Sequence, residues 1–159
     1  MKKFAKKVAA VAVAIGMMTP VLTQTADAQN YGLRPAFGSV SLNAGFLPDP
    51  FRRNRIQAGG DNHFSGSQGC PGGGWFANAP DFRLFYRSGG YPLSIYVTAP
   101  GDTMLLVNDP NTRWFCNDDN NGLDPAIRFN NPQSGQYDIW VGTYQRGRVR
   151  NATIHISER

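Results

Sequence analysis

Three neighbouring segments decide the fold: Phe82-Arg-Leu-Phe-Tyr86, Leu93-Ser-Ile-Tyr-Val97 and Met104-Leu-Leu-Val107. Each is a short run of apolar and aromatic residues, and turn sequences that contain Gly or Pro separate the runs. This pattern predicts three antiparallel strands. Comparable runs on both sides extend the series, and the further predicted strands are 39–42, 51–58, 114–116, 126–129, 137–143 and 152–156.

The composition of the chain also favours strands. After residue 28 every basic residue is Arg and the one Glu is Glu158, whereas helix-rich surfaces use both Lys and Glu. The chain holds 18 Gly and 11 Pro, which favours many turns. With the strand spacing, this predicts an all-β fold, a single antiparallel β-sandwich domain of jelly-roll type over residues 29–159. A helical bundle and a coiled coil are excluded.

Two predicted strands differ in how their faces are used. In 137–143, Ile139 and Val141 face one side, whereas Asp138 and Trp140 face the other. Both faces of that strand are therefore expected to be buried by other parts of the chain. In the last strand, alternation predicts an apolar inner face and an exposed His155.

The first 28 residues have the three parts of an export signal in order. Four Lys residues precede an apolar run over 8–18, and Ala26-Asp27-Ala28 is a small-x-small cleavage sequence. The run is too short to span a bilayer. The sequence therefore predicts cleavage after Ala28 and a periplasmic or secreted protein. Loss of these Lys residues lowers the formal net charge below the +5 of the full chain, which argues against a nucleic-acid partner.

Cys70 and Cys116 are the two cysteines of the chain. In an oxidising compartment they are expected to form one disulfide, and closing a loop of this length would stabilise the fold by roughly 4 kcal/mol. The alternative is a reactive or intermolecular thiol. The segment 59–74, which is mostly Gly, Ser, Asn, Asp and Gln, is predicted to be a long loop tied down by Cys70.

The second half of the chain carries a family resemblance. It rests on the Leu93-Ser-Ile-Tyr-Val97 strand, on Asp102-Thr-Met-Leu-Leu-Val-Asn-Asp-Pro-Asn111, on Trp114-Phe-Cys-Asn-Asp-Asp119 and on Pro132-Gln-Ser-Gly-Gln-Tyr-Asp-Ile-Trp-Val-Gly-Thr-Tyr144. Over 82–157 this layout resembles the bacterial pre-peptidase C-terminal domain. The resemblance implies a self-contained sandwich that often binds calcium at one end of its strands, in an accessory or binding role.

A dense polar cluster follows the second cysteine. Hard cations such as calcium take six to eight oxygens from carboxylates, amides and carbonyls. The spacing is not that of an EF-hand, because the twelfth position is Arg128 rather than Glu. The alternative is a plain acidic turn, salt-bridged to Arg113 or Arg128. The predicted calcium ligands are Asp109, Asn117, Asp118, Asp119, Asn120 and Asp124.

Six arginines form two groups along the chain. The spacing within the second group predicts that its members share one strand face, which could bind phosphate, sulfate or another acidic group. The alternative is a solvated face that protects a sheet edge. The two groups are Arg52, Arg53 and Arg55, and Arg146, Arg148 and Arg150.

Several aromatic residues are expected at the surface, where they could stack on sugar rings; core or rim packing is the alternative. These residues are Trp75, Phe76, Tyr91, Trp114 and Tyr144.

The sequence argues against an enzyme. His63 and His155 are its two histidines, and neither belongs to a His-Glu-x-x-His zinc motif. No Gly-x-Ser-x-Gly elbow occurs, and Gly66-Ser67-Gln68-Gly69 is the nearest approach. The predicted function is an exported, non-catalytic, calcium-stabilised binding module for a glycan, an envelope component or a protein. The alternative is an accessory or regulatory partner of a secreted peptidase.

Overall fold

The computed structural model describes residues 29–65 and 70–159, so the predicted export signal lies outside the described residues. Within these ranges the chain forms eleven strands and no helix, and hence no helix that could cross a membrane. The strands are β1 (Ser39–Asn43), β2 (Phe51–Ala58), β3 (Asn62–Phe64), β4 (Gly74–Phe76), β5 (Phe82–Arg87), β6 (Leu93–Thr98), β7 (Met104–Asn108), β8 (Trp114–Asn117), β9 (Ala126–Phe129), β10 (Gly135–Gly142) and β11 (Val149–Ser157).

The strands form two main sheets and one small pair. The five-stranded sheet has the order β1-β5-β10-β7-β8, the four-stranded sheet has the order β2-β11-β6-β9, and β3 pairs with β4. Without β1, β3 and β4, eight strands remain. Numbered along the chain, they follow the orders 2-7-4-5 and 1-8-3-6, which are those of a jelly roll. The predicted fold class is therefore confirmed. The one addition to the antiparallel pattern is β1, which pairs in parallel with β5.

The central core lies between the two main sheets. Ile139 and Val141 of β10 meet Ile154 and Ile156 of β11 there, and all four side chains are fully buried. This core follows from the period-two alternation of apolar residues, because every second side chain of a strand points to the same face.

A second apolar cluster covers the opposite face of the five-stranded sheet. It contains Trp140, so the prediction that both faces of this strand need cover is confirmed. This cover consists of β4 and of the disulfide between Cys70 and Cys116. The predicted disulfide is therefore confirmed. We call this set the outer cluster, and its buried members are Cys70, Phe76, Met104, Leu106, Cys116 and Trp140.

The cover approaches the sheet closely because glycines face it. A Cβ atom added at Gly142 would lie 2.4 Å from a ring carbon of Phe76, and one added at Gly74 would lie 2.1 Å from the sulfur of Met104. Two sequence-based expectations are corrected here. The segment 59–74 is not all loop, because it contains β3, and Phe76 is fully buried rather than exposed. A single short strand in a Gly-rich stretch gives too weak a pattern to be recognised.

The prediction of an exposed His155 is wrong. The residue does point away from the central core, but its exposed fraction is 8%. Its ring stacks on Tyr96, with centroids 4.5 Å apart, and its Nε2 lies 2.9 Å from the Thr98 hydroxyl. Because β11 lies between β2 and β6, side chains from both neighbouring strands can cover the histidine.

Candidate functional site

A groove of about 430 Å³ lies on the outer face of the four-stranded sheet, along β6 and β9. Ser94, Tyr96 and Thr98 alternate outward along β6 and line it. Ala126 and Arg128 contribute from β9, where they pair with Tyr96 and Ser94. The groove therefore combines an aromatic ring, hydroxyl groups and a guanidinium on one rigid sheet surface.

Tyr96 has different neighbours on its two sides. The His155 ring stacks on one face of the tyrosine ring, and the two ring planes are within 1° of parallel. On the other side, the paired residue of β9 is Ala126, whose side chain is small. The ring thus borders the groove on the side of Ala126, while His155 fixes its orientation.

Arg128 lies at the other end of the groove. Its Nη1 donates hydrogen bonds to the Ser94 hydroxyl and to the Arg159 carbonyl, each at 2.9 Å. Within the described part of the chain it forms no salt bridge with a carboxylate. Its charge is therefore available to a ligand in the groove.

The loop that follows β8 forms one wall of the groove through Asn120, Asn121 and Asp124. Two side chains attach this loop to its surroundings. Asn117 Oδ1 accepts the backbone N–H of Ala126 at 2.9 Å, and Asp124 Oδ1 accepts that of Ala99 at 3.1 Å. These two predicted metal ligands therefore act as backbone acceptors that hold the loop in place.

Three carboxylates converge behind this wall. Asp102, Asp118 and Asp119 each present an oxygen, and the three oxygens lie within 4.8 Å of one another. Sequence reasoning identified Asp118 and Asp119 but missed Asp102. The sequence does not show that β8 pairs with β7. In this pair Asn117 lies opposite Leu105, so the residues after β8 lie beside those before β7.

Two of the three acidic groups, Asp102 and Asp118, have raised pKa values. Burial raises the pKa of both Asp102 and Asp118, and the nearby charge of Asp119 raises it further. Asp118 Oδ1 is buried, and it has no hydrogen-bond partner in the described ranges. Two oxygens that bind one calcium ion at about 2.4 Å lie at most about 4.8 Å apart, so the spacing of the three oxygens is compatible with a shared cation.

Asp109 does not belong to this cluster, although the sequence suggested it. It directly follows the far end of β7, so the length of that strand separates it from Asp102. Its Oδ2 accepts hydrogen bonds from Arg113 at 2.7 and 2.9 Å, and its Oδ1 accepts the backbone N–H groups of Asn111 and Arg113. Asp109 therefore organises the turn between β7 and β8, as the alternative of a salt-bridged acidic turn predicted.

The predicted arginine patch is divided by the structure. Arg146 lies over the Trp75 ring, 5.2 Å from its centroid. Arg148 and Arg150 instead line a cleft with Arg55, which belongs to the other predicted arginine group. The expectation that all three arginines of the second group share a strand face is therefore wrong, because Arg146 and Arg148 lie in the segment before β11 and Arg150 alone belongs to the strand.

The two histidines lie on β3 and β11. His63 is exposed on β3 and contacts the edge of Trp75. His155 contacts a hydroxyl group, but its Nδ1 is buried without a partner in the described residues, so no carboxylate orients the ring. Ser67 lies outside the described residues.

In comparisons with known proteins, no protein-family model and no curated protein matches the chain. The resemblance to the pre-peptidase C-terminal domain stays a prediction.

Proposed function

We propose that the protein is an exported, non-catalytic binding module that recognises a glycan of the cell envelope or its surroundings, with a calcium ion bound at the loop beside the binding groove. The groove along β6 and β9 carries this proposal, because it is a concave surface on a rigid sheet with an oriented aromatic ring and several polar groups. The disulfide supports export, since such bonds persist in oxidising compartments.

The chemistry of the groove suits a sugar. The face of an aromatic ring carries partial negative charge and attracts the slightly positive C–H groups of a sugar ring. Tyr96 offers such a face, and Ser94, Asn121 and Arg128 offer hydrogen-bond donors and acceptors to hydroxyl groups.

Calcium would act on the wall of this groove. The same loop contains Asp118 and Asp119 and presents Asn120 and Asn121 to the groove. An ion bound by Asp102, Asp118 and Asp119 would neutralise their repulsion and fix the loop, and with it the polar wall. Glycan affinity is therefore expected to depend on calcium.

A glycan array followed by NMR titration of the mature protein tests the groove. We expect a bound oligosaccharide to shift the resonances of Tyr96 and Arg128, and Tyr96→Ala to lower its affinity at least about tenfold, equivalent to about 1.4 kcal/mol. Tyr91→Ala is the matched control, because Tyr91 is a tyrosine exposed away from the groove. Equal losses in the two variants, or the absence of any glycan that binds, would contradict the proposal.

Thermal unfolding with calcium or with a chelator tests the ion site. A ligand at a hundred times its dissociation constant adds roughly 2.7 kcal/mol of stability, so the Tm should rise by several degrees in millimolar calcium. Asp119→Asn should abolish this rise. Asp124→Asn is the matched control in the same loop and should keep it, because Asn retains the oxygen that accepts the Ala99 N–H. A wild-type Tm that ignores calcium would refute the ion site but not the glycan groove.

A further inference from the structure

We propose that the cleft lined by Arg55, Arg148 and Arg150 is a second binding site, which takes a small ligand carrying an oxyanion: a carboxylate, sulfate or phosphate group. The cleft has a volume of about 530 Å³, which is within the range of small-molecule sites. It lies on the β2 side of the four-stranded sheet, whereas the glycan groove follows β6 and β9. The two sites can therefore be tested separately.

Two neighbouring β-bulges build the cleft. Val149 pairs with Ala58 and Ala152 with Ile56, so Arg150 and Asn151 of β11 lie opposite a single residue of β2. The next pair joins Ile154 to Arg53, so Asn54 and Arg55 of β2 lie opposite a single residue of β11. Each bulge inserts one residue and changes the direction of the side chains beside it. Arginines from two different strands thereby come to line one cavity.

The backbone at the bulges is strained. Arg55 and Asn151 both have φ values of 62°, in the left-handed region. Asn adopts this conformation readily, whereas a long side chain such as Arg does so at a cost. The bulge itself does not need a guanidinium at position 55, and strained residues of this kind cluster at ligand sites.

The positive charge of the cleft is only partly compensated. Asp61 accepts a salt bridge from Arg148 at 3.0 Å and lies 3.9 Å from Arg146. Arg55 and Arg150 form no salt bridge with any described carboxylate. Asp81 also lines the cleft, but burial raises its pKa to about 8, which lowers the charged fraction of its carboxyl group at neutral pH. An anion entering the cleft would therefore meet two unpaired guanidinium groups and a third that is shared with Asp61.

Titration calorimetry of the mature protein at low ionic strength tests the proposal with four probes: inorganic phosphate, sulfate, galacturonate and galactose. We expect saturable 1:1 binding of at least one of the three anions. Its affinity should fall several-fold when the salt concentration rises from about 20 to about 200 mM, because salt screens the attraction. Galactose differs from galacturonate by the absent carboxylate and should not bind the cleft.

Variants assign the binding to the cleft. Arg55→Asn should lower anion affinity at least about tenfold, since hydrogen bonds to charged groups carry energies of this size, and Asn tolerates the left-handed backbone. Arg150→Gln should act in the same direction and provides a second variant if the first fails to fold. Arg87→Gln removes an equal charge from the end of β5, outside the cleft, and should leave the affinity within about twofold. Asp61→Asn should tighten binding several-fold, because it releases Arg148.

Three outcomes would overturn the proposal. The first is no saturable binding of any of the three anions. The second is an equal loss of affinity in Arg55→Asn and Arg87→Gln, which would indicate a general effect of surface charge. The third is binding only to vesicles rich in phosphatidylglycerol and not to soluble anions, which would indicate a membrane-facing surface rather than a small-ligand site.

Discussion

The two faces of the five-stranded sheet are covered in different ways. On the inner face, the opposing sheet supplies side chains from regular strands such as β11. On the outer face, the cover is a Gly-rich segment with two three-residue strands, joined to the sheet by the disulfide between Cys70 and Cys116. The inner interface is held by packing between two hydrogen-bonded sheets, whereas the outer one relies on a covalent link and a few large side chains. The same sheet thus carries one core that is held by packing between two sheets and one that is held by a disulfide and a few large side chains.

The largest expected effect comes from a matched pair on β7. Leu105 and Leu106 are consecutive and fully buried, and they belong to the central core and the outer cluster, respectively. Replacing a buried Leu by Ala costs about 2 to 5 kcal/mol, and the cost is smaller where the surroundings can collapse into the cavity. We expect Leu105→Ala to lie near the upper limit and Leu106→Ala near the lower one, as measured by urea unfolding. Equal costs would show that the outer cover is as rigid as the opposing sheet.

Removing the disulfide should have the next largest effect. The double variant Cys70→Ala and Cys116→Ala is expected to lose about 2 to 4 kcal/mol, because the unfolded chain regains the freedom that the loop closure removed. Limited proteolysis should then cut the cover between residues 59 and 80 before it cuts either main sheet. As a control, a thiol reagent should not label the denatured, unreduced wild type. Two labels per chain would show that the disulfide is absent from the purified protein.

Asp81 gives the smallest effect over the single pH unit compared below, and it tests the junction between the cover and the sheet. It directly precedes β5, and its Oδ2 accepts the backbone N–H of Val141 from β10 at 2.7 Å. Burial raises its pKa from 3.8 to about 8. Between pH 3.8 and about pH 8 the Asp81 carboxyl group is ionised in the unfolded state but protonated in the folded state. The free energy of unfolding therefore falls as the pH rises.

Asp81→Asn keeps the acceptor oxygen but removes the titration. Between pH 5 and pH 6 the wild type should therefore lose about 1.4 kcal/mol relative to this variant, as measured by unfolding at each pH. Parallel stability profiles would mean that the carboxyl group is ionised in the folded protein. Above pH 8 the group is ionised in both states, so the two profiles should run parallel there, with the wild type at its lowest stability relative to the variant.

Some features on both faces of the five-stranded sheet could be predicted from the sequence. Alternation placed Ile139 and Val141 on one face and Trp140 on the other, and the two cysteines implied their own pairing. The β-sandwich class also followed from strand spacing. These features depend on local patterns or on a unique pair of residues, which is why they could be read without the structure.

The features that were missed depend on which strands meet. Asp102 joins Asp118 only because β7 and β8 are paired, and Arg55 joins Arg150 only because two bulges shift the register of β2 against β11. His155 was assigned to the correct face, but the neighbouring strand that supplies Tyr96 determines its burial. Register and neighbour identity are non-local properties, and a single sequence carries no direct signal for them.

The order of strands also has a consequence for how the chain acquires its structure. The last two strands, β10 and β11, occupy interior positions, one in each main sheet. Until the C-terminal end is available, neither sheet can be completed, and the earlier strands can form only separate fragments with unpaired edges. Folding that depends on such distant partners is slow and begins late. A polypeptide of this design cannot complete either main sheet until nearly all of its residues have been synthesised.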